Sequence, residues 1–334
     1  MVLGGKMKKI LENIRNSDKR FIYPQMGGMG LMLTNYTTFE VYEDSEKQLE
    51  IAKLIEKKFP TDFTYTLDFG TIVQNTIGLK MKKPDRDFPS TIENRIKTIE
   101  DIEKIRNINV REDGLFPIYL ESIRKIRKNI DKPHMVAIVG PTTLSGELAG
   151  LEYMLRSSIK DKKFFREIID FTTKITKEFC IAAIESGADV VQISEPVMSI
   201  IRPSIYRKMV LNNLKEIMDE INKRAVSSLH VCGDTKKYMD MMIESGTEIL
   251  SLDQIMNMEW VINYVPKDIL VAGNLDPVEI MRNGNYESVY KEASNLLEKM
   301  KGHKNYMMSF GCDCPIDTPI DNMLAVIDAV NNYK

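Results

Sequence analysis

Three histidines, four cysteines and one tryptophan are all that the 334 residues contain of those types. Four cysteines in a chain of this length are too few for a disulfide framework, which leaves each a structural, catalytic or metal-binding part. No run reaches the roughly 18 apolar residues of a membrane span. Met1 to Arg20 is broken by charges throughout and has no signal-peptide core, so a cytoplasmic location is expected. Neither charge sign is in excess: 46 Lys plus Arg stand against 48 Asp plus Glu, a net charge of -2. Without a basic stripe interleaved with aromatics, neither nucleic acid nor a membrane is an expected partner. There is no internal repeat, low-complexity tract or phosphate-binding fingerprint. Gly27-Gly28-Met29-Gly30 lacks dinucleotide or P-loop spacing and reads as a flexible loop or a close backbone approach.

What is present is an ordinary globular balance, 43% hydrophobic and 28% charged, with 21 Met that read mostly as core filler. Apolar, β-rich runs alternate with amphipathic helical patterns, which predicts a parallel sheet with crossover helices. Eight strands are expected, at Phe21–Met26, Thr64–Asp68, Met135–Val139, Asp189–Ser194, Ser227–Val231, Glu248–Leu252, Ile269–Gly273 and Asn305–Phe310. The expected class is therefore α/β. It is a (β/α)8 TIM barrel in a single domain over residues 1–334, with an N-terminal extension and a helical insertion after the second strand, from Gly70 to Lys132. A doubly wound open sheet is the competing arrangement. Helices are expected over Glu43–Phe59, Asp161–Ser186 (stopping before Gly187) and Ser204–Arg224. A last helix opens at Thr318-Pro319, with Thr as N-cap and Pro at the first position.

Polar groups gather at the strand exits. The fifth strand ends in Leu229-His230-Val231-Cys232-Gly233, and residues two apart on a strand share a side. The eighth ends in Phe310-Gly311-Cys312. An imidazole and two thiols are borderline-to-soft donors that suit zinc with one position open. Asp253, at the exit of the intervening strand, is either a fourth ligand or an acceptor that orients His230. Glu195 is a general base, a binding carboxylate or half of a strand-end ion pair. Asn274 and Asp276 line the mouth, or Asp276 before Pro277 is an N-cap. Cys314 reads as a bystander, Cys180 as core, and His134 and His303 lie at strand entrances with no assigned role.

His230-Val231-Cys232-Gly233, Gly140-Pro141-Thr142-Thr143-Leu144-Ser145-Gly146, Gly273-Asn274-Leu275-Asp276-Pro277 and Gly311-Cys312 with Thr318-Pro319 and Asn322 resemble the uroporphyrinogen decarboxylase superfamily. Within it they are similar to the zinc-dependent corrinoid methyltransferases, including methylcobamide:coenzyme M methyltransferases. The resemblance runs from about Phe21 to the end of the chain. It implies a (β/α)8 barrel, Zn2+ on His230, Cys232 and Cys312, and a corrinoid (methylcobamide) carried by a partner protein or taken as substrate. Asp253 falls where relatives often carry a Glu ligand, and its side chain is the shorter. Asp68 falls near the central Asp of the decarboxylases and, with Asn274 and Asp276, is the expected cofactor-facing set. The Arg-rich N-terminal segment of the decarboxylases is missing from Tyr23-Pro24-Gln25-Met26-Gly27-Gly28.

The implied activity is methyl transfer between a protein-bound methylcobamide and a zinc-activated thiol such as coenzyme M, with His230, Cys232, Cys312 and Glu195 as the catalytic set. Two alternatives stand beside it. One is demethylation of a methoxylated, for example aromatic O-methyl, donor onto a Co(I) corrinoid protein. The other is a uroporphyrinogen decarboxylase-type lyase. A non-catalytic zinc-stabilised or corrinoid-binding module is the third class.

Overall fold

The computed structural model describes residues 3–67 and 70–333. Among them are nine strands. β1 (Thr64–Tyr65) is followed by a short antiparallel pair, β2 (Met81–Lys82) and β3 (Ser90–Thr91). The remainder are β4 (His134–Val139), β5 (Val190–Ser194), β6 (Val226–Val231), β7 (Ile249–Leu252), β8 (Leu270–Leu275) and β9 (Tyr306–Phe310). β1 and β4 to β9 form one sheet in the order β1-β4-β5-β6-β7-β8-β9, every neighbouring pair parallel. Sequential parallel order with helices between the strands is the α/β pattern that the alternation predicts. Six of the expected strands lie within two residues of the observed ones.

The first expected strand, Phe21–Met26, is a correction. It forms a single parallel bridge, Ile22 to Met308. The Tyr23 N–H donates to the Met308 carbonyl and the Met308 N–H to that of Phe21. Pro24 then ends the ladder. It has no N–H to give, and its fixed φ suits the tight turn in which the Gln25 N–H folds back to the Tyr23 carbonyl at 3.0 Å. The same segment reaches the other edge of the sheet: the Ile22 N–H donates to Asp62, and the Tyr23 and Phe63 rings meet edge to face at 5.7 Å. Seven ladder strands and one bridging segment thus stand where eight ladders are expected.

The helices follow their capping signals. Ser45–Lys58 starts at Asp44, whose carboxylate accepts the N–H groups of Glu46 and Lys47. Lys162–Ser186 starts at Asp161 and stops at Gly187, and its buried face includes Phe164, Phe165, Ile168, Ile169, Ile175 and Phe179. Each such fully buried side chain is worth about 1.5–3 kcal/mol. The expected helix Ser204–Arg224 is two, Pro203–Met209 and Leu211–Asn222, separated at buried Val210, whose φ of -128 leaves the helical range. The last helix is Ile320–Asn332. Thr318 does not cap it, because its hydroxyl donates to the Pro315 carbonyl. The insertion after β1 holds helices Ile72–Thr76, Ile99–Ile105 and Phe116–Asn129, together with the β2–β3 pair that helical patterning does not reveal. At its N-terminal side the chain carries helix Leu3–Asn16, the expected extension. Among the described residues no helix is long and apolar enough to cross a membrane.

The glycine-rich stretch is a close approach rather than a loop. It forms the 3-10 helix Gly27–Leu33, in which Gly27 has φ +53. A Cβ at Gly27 would sit 2.9 Å from that of Asp313, next to Cys312 in sequence.

Candidate metal centre

Parallel strands open their C-terminal ends on one face, and the side-chain period of two decides which residues point inward there. Ladder pairing sets Ser194, His230, Ser251 and Ala272 side by side on β5 to β8, with Gln192 and Ser228 one layer below. The inner wall at β5 to β7 is therefore polar, an unusual lining for a parallel sheet, whose strands are normally apolar on both faces.

His230 lies in this wall, 3% exposed. Its Nε2 is 3.2 Å from Cys232 Sγ, and Cys232 Sγ is 3.6 Å from Cys312 Sγ. Donor atoms of the three residues all lie within 4.8 Å of one another. Both sulfurs are partly exposed while the imidazole beneath them is buried, so the cluster opens toward the strand-exit face. With Zn–S near 2.3 Å and Zn–N near 2.05 Å, a tetrahedral zinc sets its donors about 3.5–3.8 Å apart. The Sγ–Sγ separation lies in that range and the Nε2–Sγ separation about 0.3 Å below it, so the three residues stand close enough to share one metal ion.

The cluster shares its protons unevenly. The hydrogen bond from Cys312 pulls the Cys232 thiol below its ordinary value, against the upward push of burial. The same contact and burial push Cys312 up. Burial pulls His230 down, but the hydrogen bond and charge of Cys312, with the charges of Asp313 and Asp253, leave it raised.

The cluster is braced by hydrogen bonds. Ser251 Oγ lies 3.1 Å from His230 Nδ1 and donates to Gln25 Oε1 at 2.6 Å. Asp253 is not among the three clustered residues. Its Oδ2 accepts the Gly233 N–H at 2.7 Å and its Oδ1 the Ile255 N–H at 3.0 Å. Gly233 has φ +84, a conformation glycine adopts without strain, so Asp253 fixes the turn that aims Cys232. The hydrogen-bond partner of the imidazole Nδ1 is Ser251, not Asp253.

The other expected residues are placed as follows. Glu195 is fully buried. Its carboxylate accepts the N–H groups of Thr142 and Thr143 at 2.9 and 3.1 Å and the Thr142 hydroxyl. It closes the N-terminus of helix Pro141–Ala149, where a negative charge is favoured. Burial raises its pKa and those donors oppose the rise. Asn274 donates to the carbonyls of Asp253 and Met256 at 3.0 and 2.8 Å, tying β8 to the loop after β7. Asp276 is the N-cap of the helical turn Pro277–Arg282. Asp68 lies outside the described residues. Cys180 and Cys314 are buried free thiols. Sequence reasoning passed over Ser251 and Gln25. The register that sets Ser251 opposite His230, two residues before Asp253, is the signal for the first; the turn at Pro24 hides the second.

A family model described as "Uroporphyrinogen decarboxylase (URO-D)" matches residues 26–333. Methylcobamide:CoM methyltransferase MtbA of Methanosarcina acetivorans is 28% identical over 301 residues, 88% of this chain and 87% of that protein. Uroporphyrinogen decarboxylase of Carboxydothermus hydrogenoformans is 25% identical over 257 residues, 75% of this chain and 72% of that protein. Among solved structures, a methyltransferase from Methanosarcina mazei superposes with a TM-score of 0.87 at 21% identity, covering 97% of this chain and 98% of that one.

Proposed function

The chain belongs to the uroporphyrinogen decarboxylase (URO-D) family, and on that premise we propose that it is a zinc-dependent methyltransferase acting between a methylated corrinoid and a thiol. The observation that carries the reading is the convergence of His230, Cys232 and Cys312 within 4.8 Å at the strand-exit face. The similarity to a protein named methylcobamide:CoM methyltransferase MtbA supports methylcobamide as donor and coenzyme M as acceptor; a partner protein that carries the corrinoid is part of the proposal. The decarboxylase alternative has no evident use for two thiols and an imidazole in one cluster.

His230, Cys232 and Cys312 would hold the ion, the buried imidazole from below and the partly exposed sulfurs from the rim. Zinc held by two thiolates supplies one thing: it lets a substrate thiol give up its proton near neutral pH and remain nucleophilic. In the proposed transfer the substrate sulfur would take the methyl group from the methylated corrinoid substrate: an S–C bond would form as the Co–C bond breaks, the electron pair would stay with the corrinoid, which leaves as Co(I), and the thiol proton would pass to water. Asp253 keeps the Cys232 turn fixed through Gly233, and Asn274 anchors the neighbouring loop. Glu195, saturated by backbone donors, acts on the scaffold.

The test is incubation of zinc-loaded protein with methylcobalamin and a panel of thiols that includes 2-mercaptoethanesulfonate. Methyl thioether by mass spectrometry, with the matching Co(I) absorption, is the expected result. Stoichiometric zinc with no thiol consumed overturns the proposal.

A further inference from the structure

We propose that Gln25 and Ser251 are positioning residues that fix the tautomer of His230, so that its Nε2 is presented as a bare lone pair to the cluster. The inference deepens the metal-centre reading and rests on it for its purpose, though the tautomer can be measured without any metal.

The argument is one of proton counting. Ser251 has one hydroxyl proton, and it goes to Gln25 Oε1 at 2.6 Å. The Ser251 oxygen then meets His230 Nδ1 at 3.1 Å with lone pairs only. The contact is a hydrogen bond only if Nδ1 carries the proton. A neutral imidazole protonated at Nδ1 has its lone pair at Nε2, the nitrogen 3.2 Å from Cys232 Sγ. Were the Gln25 amide reversed, its NH2 would donate to Ser251 and the hydroxyl would donate to Nδ1. The proton would then sit on Nε2, the nitrogen the ion needs. The amide orientation therefore decides which imidazole nitrogen is free.

The chain fixes these groups firmly. Gln25 is 2% exposed and Ser251 fully buried, so water does not replace either partner. Ser251 shares a ladder pair with His230, so their side chains leave the sheet on the same side. Gln25 is turned inward by the tight turn at Pro24, and the preceding residue is pinned to β9 by the Ser309 hydroxyl, which donates to the Tyr23 carbonyl at 2.9 Å. The segment that fails to complete a ladder is thereby freed to reach into the wall behind the imidazole.

The experiment uses 15N-histidine labelling of the full chain, which has only three histidines. The tautomer of neutral His230 is read from its two ring-nitrogen shifts at alkaline pH in metal-free protein, each tautomer measurement being made in a Cys232→Ala, Cys312→Ala background so that no thiolate competes for the Nε2 proton. Zinc affinity is measured in parallel by chelator competition. Wild type and the conservative Ser251→Thr and Gln25→Glu variants, which keep the hydroxyl and the obligate acceptor, are expected to show the Nδ1–H form and zinc affinities within about threefold of one another. Ser251→Ala and Gln25→Leu are expected to shift the equilibrium toward Nε2–H and to weaken zinc by about 10–100-fold. An unchanged tautomer in both apolar variants overturns the inference while leaving the metal centre standing. A wild type that binds no zinc but shows the tautomer shift overturns the metal reading and leaves the hydrogen-bond relay standing. Should Gln25→Leu not fold by circular dichroism, the Ser251→Ala and Ser251→Thr pair decides alone.

Discussion

Cys232 and Cys312 are 80 positions apart in sequence, and their sulfurs lie 3.6 Å apart. A disulfide needs about 2.05 Å, so the pair stops roughly 1.5 Å short of bonding. That gap suits a shared ion and leaves the thiols within reach of each other when none is bound.

Metal removal is therefore expected to create an oxidation-sensitive pair. Zinc-free protein treated with a mild thiol oxidant should lose two of its four thiols and yield a Cys232–Cys312 cross-linked peptide by mass spectrometry. Bound zinc should slow the reaction at least about tenfold, because both sulfurs are then engaged as thiolate ligands. Equal rates with and without zinc would show that the two sulfurs do not share an ion.

Asp253 separates a ligand from a brace. Its two oxygens already hold the N–H groups of Gly233 and Ile255. Asp253→Asn keeps one acceptor oxygen and loses the other, so the turn that aims Cys232 should loosen. The expected result is one zinc per chain with affinity reduced about 10-fold, in the range of supporting groups around metal ligands. Cys312→Ala should lose the metal under the same chelator. If Asp253→Asn behaves like Cys312→Ala, the carboxylate reaches the ion.

The His/Cys cluster was legible in the sequence because strand geometry makes a His-x-Cys pair share a side, and because a second Cys stands at another strand exit. The helix-capping role of Asp276 was likewise carried by a local signal, the proline after it. Ser251 and Gln25 were not legible, since their role depends on which residues two strands set opposite and on a backbone reversal at Pro24. Glu195 looked chemical because it is an acid at a strand exit. Only the fold reveals that a helix N-terminus from 53 residues earlier already takes both its oxygens.

Glu195→Gln follows from that finding. A neutral amide turns one acceptor into a donor facing the donors of Thr142 and Thr143 in a fully buried setting. The expected loss is about 2–3 kcal/mol of stability, the cost of leaving buried partners of a charged group unsatisfied. Chemical denaturation should show it as a lower midpoint with an unchanged slope, and zinc content should stay at one per chain. A variant as stable as the wild type that has lost methyl transfer about 100-fold or more would restore Glu195 to the chemistry.

His134 gives the acid limb of stability. It opens β4, is fully buried, and its Nε2 lies 2.7 Å from Thr66 Oγ1. Burial, with a smaller contribution from the Arg127 charge, pulls its pKa from 6.5 down to about 3. The sign follows from which state takes up protons first. Below pH 6.5 the unfolded chain binds a proton at this site and the folded chain does not, until pH reaches about 3. Stability is therefore fully present above pH 6.5 and falls as pH drops toward 3, by up to about 1.4 kcal/mol per pH unit from this one group. His134→Gln should lower stability at neutral pH, where the Thr66 contact is disturbed, yet flatten the slope across that window. Urea midpoints at intervals between pH 7 and 3.5 measure both effects, with metal-free protein used throughout so that the cluster's own titration is common to both chains. Parallel slopes for wild type and variant would mean that His134 takes up its proton in the folded state near its ordinary pKa, and that burial at the head of β4 does not exclude the charge.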